Sequence, residues 1–119
     1  MDSDREKHLD YNVLGTLQEV MEEEYPLLLD TFLNDSEKRL GQLHQASNAI
    51  ELGLAAHSFK GSSSNMGALQ LADLCRQLEE RSGQLPLSGV EDLLARIDQE
   101  YEQVRHLYAR ERERFPVKQ

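Results

Sequence analysis

The segment Tyr25–Gln45 reads YPLLLDTFLNDSEKRLGQLHQ, and its apolar residues recur at every third or fourth position. This spacing places them on one face of an α-helix, which can then be buried against neighbouring elements. Pro26 fits the first helical turn, because the backbone N–H that proline lacks would have no partner there. The predicted buried face consists of Tyr25, Leu28, Leu29, Phe32, Ser36, Leu40 and Leu43. The segment therefore predicts one long amphipathic helix.

The helical period continues on both sides of this segment, and no strand-like alternation lasts more than a few residues. We predict four further helices, over about 10–21, 49–64 and 68–81, and from Ser88 to at least 108. Asp10 suits an N-cap, and Asn48 and Ser88 are each followed three positions later by a glutamate, as in a capping box. Short connections between long helices favour antiparallel neighbours. The sequence thus predicts an all-α, antiparallel up-down four-helix bundle with an additional N-terminal helix capping one end.

The length of 119 residues predicts a single domain over 1–119. We place the bundle core at about 10–109 and predict a solvated tail over 110–119, where charges alternate in sign. The chain has 22 acidic and 13 basic residues, a net charge of −9. Such a charge argues against nucleic acid and anionic membrane surfaces as partners. The chain also lacks an apolar run of membrane-spanning length and a signal-peptide pattern, so we expect a cytoplasmic protein.

Metal binding is not expected. The one cysteine, Cys75, offers neither an internal disulfide nor a zinc cluster, and it lies on a predicted buried helix face. Di-iron sites in helical bundles use a glutamate three residues before a histidine, and none of the four histidines has one. His8, His44 and His106 have no distinctive setting, and we expect them on the surface.

The remaining histidine, His57, is surrounded by small residues. Its predicted helix face contains Gly53, His57, Gly61 and Ser64, with Leu54 and Lys60 beside it. Each of the two glycines costs roughly 1 kcal/mol of helix propensity relative to alanine. Small neighbours do not shield the imidazole, so this composition favours an exposed ring that another macromolecule can approach. A histidine of ordinary pKa, about 6.5, offers a free nitrogen lone pair at neutral pH. Lys60, one turn on, is placed to neutralise negative charge that arrives there. Periodicity alone would also allow an ordinary surface histidine.

Glu79 is the candidate for orienting the His57 ring. If the turn between the third and fourth helices is centred near Ala68, His57 lies eleven residues before it and Glu79 eleven after it. Residues equidistant from such a turn face each other across an antiparallel helix pair. A carboxylate there could hold one ring N–H and thereby fix the tautomer. Gln77 and Glu80 are less well placed by the same count.

The run Ala56-His57-Ser58-Phe59-Lys60-Gly61, followed by Asn65-Met66-Gly67, resembles the signature of histidine-containing phosphotransfer (Hpt) domains of bacterial phosphorelays. The likeness extends over nearly the whole chain and implies a monomeric bundle of the stand-alone type. It implies that His57 accepts a phosphoryl group from a receiver-domain aspartate and passes it to the aspartate of another receiver domain. Lys60 matches the basic residue beside the phosphohistidine, and Gly61 matches its small neighbour. Glu79 matches a position that in some members holds the second histidine nitrogen.

The resemblance further implies a phosphoryl carrier without kinase activity of its own. Its partners would be receiver domains of hybrid histidine kinases and of response regulators. No cofactor is expected on this chain, and Mg²⁺ is expected in the partner receiver domain. We expect Gly53, Leu54 and Ser64 in the docking surface, together with exposed apolar residues of the first two helices. The alternative is a non-phosphorylated interaction or scaffold bundle, and the intact His57, Lys60 and Gly61 favour the carrier. An autonomous enzyme is disfavoured, since no convergent set of acid, base and nucleophile is evident.

Overall fold

The computed structural model describes residues 7–84 and 86–115. Its helices are α1 (Tyr11–Met21), α2 (Tyr25–Gln45), α3 (Ala49–Asn65), α4 (Leu69–Ser82) and α5 (Val90–Glu113), with a 3-10 turn at Glu22–Glu24. No strand occurs within these described ranges, so the all-α prediction is confirmed. The predicted limits of the first four helices agree with these bounds to within one residue at each end. None of the described helices is long and apolar enough to cross a membrane.

Two of the three predicted helix caps are present. The Asp10 carboxylate accepts hydrogen bonds from the backbone N–H groups of Asn12 and Val13, at 2.9 and 3.4 Å. The Asn48 side chain accepts from the Glu51 N–H at 2.8 Å, and the Glu51 carboxylate accepts in return from the N–H of Ser47 at 2.7 Å. These bonds satisfy donors that have no partner inside the helix.

The predicted Ser88 cap is wrong. Helix α5 starts at Val90, and its N-cap is Gly89 with no side-chain hydrogen bond to the cap. Gly89 has a left-handed backbone with φ of 73°, a conformation that glycine adopts without steric cost. The chain therefore enters α5 through a glycine turn, and the Ser88 hydroxyl does not occupy the capping position.

The helices pack around one apolar core. α2 contacts α3 and α5, and α4 contacts the same two helices. Arg112 lies 3.0 Å from Asp30, and Asp98 lies 2.8 Å from His44, so residue numbers rise along α2 as they fall along α5. That order is expected of antiparallel neighbours. The core includes Leu29, Phe59, Leu71, Leu78, Ile97 and Tyr108, all fully buried.

The end of α3 is held by contacts from two other parts of the chain. The N–H of Asp10, just before α1, donates to the Gly67 carbonyl at 2.8 Å. Gly67 has a φ of 81°, and a Cβ there would lie only 3.0 Å from the Asp10 carbonyl oxygen and 3.2 Å from the Val13 Cβ. The Tyr108 hydroxyl of α5 donates to the Met66 carbonyl. α1 and α5 together therefore fix the turn that sets the relation of α3 to α4.

The prediction of a solvated tail is wrong at Glu111, Arg112 and Phe115, whereas Arg110, Glu113 and Arg114 are exposed as predicted. α5 continues to Glu113, and Glu111 is buried while accepting a hydrogen bond of 2.7 Å from the Tyr25 hydroxyl. The Phe115 ring packs edge-on against the Tyr25 ring, with centroids 5.2 Å apart. Burial, reinforced by Glu111, raises the pKa of Tyr25. Residues 116–119 of the predicted tail lie outside the described residues.

His8 also departs from its predicted surface position. Its ring is half-buried, and Nδ1 lies 2.6 Å from an oxygen of Glu100, whose carboxyl is only 5% exposed. Burial raises the pKa of Glu100, and the contact with His8 opposes that shift. His44 and His106 are exposed as predicted. The partner of His8 lies 92 residues away in the sequence, which no local pattern indicates.

Candidate functional site: the His57–Glu79–Lys60 cluster

The buried face of α3 determines which way His57 points. Leu52, Ala56, Phe59 and Ser63 are buried at helical spacing and set the rotation of the helix against the core. His57 therefore lies on the outer surface, and 64% of its side chain is exposed. The predicted accessibility of this imidazole is confirmed.

Glu79 on α4 contacts both predicted site residues of α3. Nδ1 of His57 lies 2.8 Å from one carboxylate oxygen of Glu79, and the Lys60 ammonium donates to the other oxygen at 2.8 Å. The Lys60 hydrogen bond is the main cause that lowers the pKa of Glu79, and the His57 contact adds to it. Glu79 on α4 therefore lies opposite His57 on α3, as predicted.

The neighbours of Glu79 have other partners. The Gln77 amide donates to Asp73 at 2.9 Å, and Glu80 accepts from Arg76 at 2.9 Å. Residue counting predicts that both side chains are less well placed than Glu79, and neither contact involves His57. Glu79 is thus the carboxylate that holds the ring.

The hydrogen bond to Glu79 assigns the roles of the two ring nitrogens. An ionised carboxylate can only accept, so the contact requires that Nδ1 of His57 carry the proton. In the neutral ring the lone pair is then on Nε2. This tautomer leaves Nε2 as the nucleophilic atom on an exposed ring. Glu79 supplies orientation and a negative charge on the opposite side of the imidazole.

Sequence reasoning missed the bond between Lys60 and Glu79. Lys60 was expected to meet arriving negative charge, whereas its half-buried side chain already pairs with a carboxylate of the neighbouring helix. The count that places Glu79 opposite His57 also brings it near Lys60, which follows His57 by one helical turn. The same residue count from the helix turn therefore also indicates the contact between Lys60 and Glu79.

A second missed contact ties α2 to α3 next to His57. The Arg39 guanidinium donates to the Ser58 hydroxyl and, at 2.6 Å, to the carboxylate of Asp35. The four-residue spacing of Asp35 and Arg39 is a recognisable ion-pair pattern on a helix. Nothing local to either residue points to Ser58.

The two glycines predicted to flank His57 have different surroundings. A Cβ at Gly61 would meet no atom within 4 Å, so this glycine leaves the surface beside the ring open. A Cβ at Gly53 would lie 2.6 Å from the Ser82 hydroxyl oxygen, so that glycine permits close packing of α3 on α4. Leu54 and Ser64 are exposed. The roles of Gly53, Leu54 and Ser64 in partner binding remain predictions.

The described residues contain no group of three or more His, Cys, Asp or Glu side chains placed to hold a metal ion. Cys75 is a buried core residue, as predicted. Burial raises the pKa of its thiol to about 12, so the reactive thiolate is scarce at neutral pH.

Comparison with known proteins agrees with the resemblance to Hpt domains that the sequence shows. The Hpt domain family model matches residues 27–107. The crystal structure of histidine-containing phosphotransfer protein B from Pseudomonas aeruginosa PAO1 is similar, with a TM-score of 0.88 and 51% sequence identity. The match covers 92% of this chain and 97% of that chain. No curated protein matches the chain.

Proposed function

The chain belongs to the histidine-containing phosphotransfer (Hpt) family, and on that premise we propose that His57 is the residue that carries the phosphoryl group. The protein is a histidine phosphotransfer protein of phosphorelays in two-component signalling. The observation that most supports His57 is its exposed ring, held at Nδ1 by Glu79. We further propose that the helices form the up-down bundle on which this ring is displayed.

The proposed transfer needs no proton to leave the pair of proteins. The Nε2 lone pair of His57 attacks the phosphorus of an aspartyl phosphate on a receiver domain. A P–N bond forms while the P–O bond to the aspartate breaks, and the receiver regains a free carboxylate. The Nδ1 proton stays on the ring, which becomes cationic and is stabilised by Glu79. Transfer to a second receiver is the same step in reverse.

The contribution of this chain to that step is position and charge. A fixed ring orientation removes part of the entropic cost of bringing nucleophile and phosphorus together. We propose that Mg²⁺ is bound by the receiver domain and not by this chain. The chain then acts as a monomeric cytoplasmic carrier without kinase activity. Its partners are receiver domains of hybrid histidine kinases and of response regulators.

Incubation with a phosphorylated receiver domain and Mg²⁺ tests this function. Phosphohistidine is labile to acid and stable to base, and aspartyl phosphate is labile to both. We expect acid-labile, base-stable label to move from the receiver to this chain. Label that stays on every receiver tested would favour the scaffold alternative, in which the bundle binds a signalling partner without being phosphorylated.

Replacing Lys60 by alanine is expected to slow phosphoryl transfer about 10- to 100-fold. The Lys60 ammonium, which pairs with Glu79 beside the ring, can turn to the phosphoryl oxygens as they arrive, and a charge-assisted hydrogen bond gained only in the transition state contributes roughly 1.5–3 kcal/mol to the rate. Rapid-quench measurement of label transfer gives the rate, and Lys60→Arg, which keeps the charge, is the matched variant. Equal rates for wild type and Lys60→Ala would remove Lys60 from the mechanism.

Replacing Glu79 by glutamine is expected to slow transfer about tenfold, and Glu79→Ala by more. The glutamine oxygen can still accept from the Nδ1 proton, but a neutral hydrogen bond is about half as strong as a charge-assisted one. The partial rescue by glutamine identifies a positioning residue, since a purely structural role would not rank the two variants by their ability to hold Nδ1. The measurement is the transfer rate at saturating receiver. Faster transfer by Glu79→Ala than by Glu79→Gln would contradict the assignment.

A further inference from the structure

The His57 ring has a direction as well as an exposed position. The two nitrogens of an imidazole lie on different sides of the ring, so the bonds that they make outward diverge widely. Nδ1 of His57 is turned toward Glu79 on α4, at 2.8 Å. Nε2, the atom that we propose to carry the phosphoryl group, is therefore directed outward and away from α4. The helix that flanks α3 on that side is α2.

Lys60 approaches the ring from the α4 side. Its ammonium donates to the second oxygen of Glu79 at 2.8 Å, so it shares a carboxylate with Nδ1. A phosphoryl group brings three strong acceptor oxygens to Nε2. Lys60 can turn to the oxygens on its own side of the ring, whereas those on the far side are directed toward α2.

Arg39 brings a cation to that far side. Its guanidinium donates to the hydroxyl of Ser58, the residue that follows His57, and this contact joins α2 to α3. At about 100° per residue, Ser58 lies about 100° from His57 around the helix axis in one direction, and Lys60 lies about 60° away in the other. The Arg39 guanidinium and the Lys60 ammonium therefore lie on opposite flanks of the ring.

The Arg39 guanidinium also has donors to spare. A guanidinium carries five N–H donors. Within the described residues, Nε donates to Asp35 at 2.6 Å and Nη1 donates to Ser58. The Ser58 hydroxyl is a neutral acceptor, and hydrogen bonds to an anionic acceptor are about twice as strong. Arg39 can therefore exchange the hydroxyl for a phosphoryl oxygen while its bond to Asp35 stays in place.

We propose that Arg39 is a second phosphoryl-binding residue, which donates to the phosphoryl oxygens on Nε2 from the flank opposite Lys60. The proposal rests on the proposed function of His57. Ser58 holds the guanidinium beside the ring until a phosphoryl group arrives, and Asp35 keeps the side chain extended toward α3. The planar fork of a guanidinium matches two phosphoryl oxygens at once, which an ammonium does not. The loaded group is then held between a cation from α2 and a cation from α3.

Arg39→Ala and Arg39→Lys test the proposal, with Ser58→Ala as the matched control. Ser58→Ala breaks the hydrogen bond between α2 and α3 but keeps the guanidinium, so it separates loss of the bridge from loss of the cation. Each variant is labelled with phosphoramidate, a small donor that requires no docking and that releases ammonia as its phosphorus bonds to Nε2. The readouts are the labelling rate and the midpoint of the phosphorus-31 NMR titration of the phosphorylated chain. A purely structural role would leave that midpoint unchanged.

For Arg39→Ala, we expect labelling to slow about tenfold and the titration midpoint to rise by about 0.5 pH units. The midpoint rises because a nearby cation favours the fully ionised phosphoryl group, and the variant lacks that cation. Arg39→Lys keeps the charge but not the fork, so it should restore most of the midpoint and only part of the rate. Ser58→Ala should have the wild-type midpoint and should be labelled at least as fast as the wild type.

A wild-type rate and midpoint in Arg39→Ala would overturn the proposal and leave the function of His57 intact. Equal slowing of Arg39→Ala and Ser58→Ala, with both midpoints unchanged, would assign Arg39 to holding α2 against α3 and also overturn it. A wild-type chain that takes up label neither from phosphoramidate nor from any receiver domain would overturn the proposed function, and the role of Arg39 with it.

Discussion

The His57→Gln variant is expected to accept no phosphoryl group above background, from a receiver domain or from phosphoramidate. Glutamine retains a polar side chain of similar length, but its amide nitrogen has no lone pair available for attack on phosphorus. Because 64% of the His57 side chain is exposed, the substitution should leave the fold intact. The measurements are radiolabel transfer and thermal unfolding of the same preparation.

His106→Gln is the matched control for this loss. His106 is also an exposed histidine, 65% exposed on α5. The control should take up label at the wild-type rate, since this histidine lies outside the His57 cluster. If label persisted on His57→Gln and disappeared from a variant of another histidine, that other histidine would be the phosphorylated residue. Loss of label together with a lowered melting temperature would show that the His57 ring supports the fold, contrary to its exposure.

Phe59→Ala is expected to lower the free energy of unfolding by about 3–5 kcal/mol, the range seen for large-to-small substitutions of buried aromatic residues. Phe59 lies two residues after His57 and is fully buried on the opposite side of α3. Its removal leaves a cavity in the core and also removes a side chain that fixes the rotation of the helix. Urea unfolding monitored by circular dichroism gives the free energy of unfolding.

Leu54→Ala on the same helix is the control, because Leu54 is 68% exposed. That substitution should change the free energy of unfolding by no more than about 0.5 kcal/mol. The two variants lose side chains of the same apolar class but differ in burial, so the comparison isolates the contribution of the core. A cost below about 1 kcal/mol for Phe59→Ala would mean that this face of α3 is not tightly packed.

The helices were predictable because their signals are local. Apolar spacing gives the faces of α1 to α5, and the Asp10 and Asn48 caps depend on residues within a few positions. The packed end of α5 was not predictable in this way. Glu111 looks like part of a solvated, alternating charge pattern, and the Tyr25 hydroxyl that satisfies it is 86 residues away. The glycine start of α5 was missed because Ser88 has capping-box spacing but not the required backbone position.

The candidate site was partly predictable for the same reason. Counting from a helix turn brings Glu79 to His57 without knowledge of any side-chain conformation. The role of Gly53 could not be found by such a count. It was grouped with Gly61 as part of an open face, yet Gly53 meets Ser82 of α4 while Gly61 faces open space. Which face of α3 packs against α4 depends on the packing of the whole core, and no local pattern in the sequence indicates it.

The shared carboxylate of Glu79 has a consequence for the loaded form of the protein. In the structure, its two oxygens are divided between the His57 imidazole and the Lys60 ammonium group. On the proposed function, phosphorylation of His57 would make the ring cationic and add negative oxygens nearby, so that Glu79 would be drawn to the imidazolium while Lys60 would gain a competing anion. An exchange of ionic partners within the cluster would then accompany every arrival and departure of the phosphoryl group.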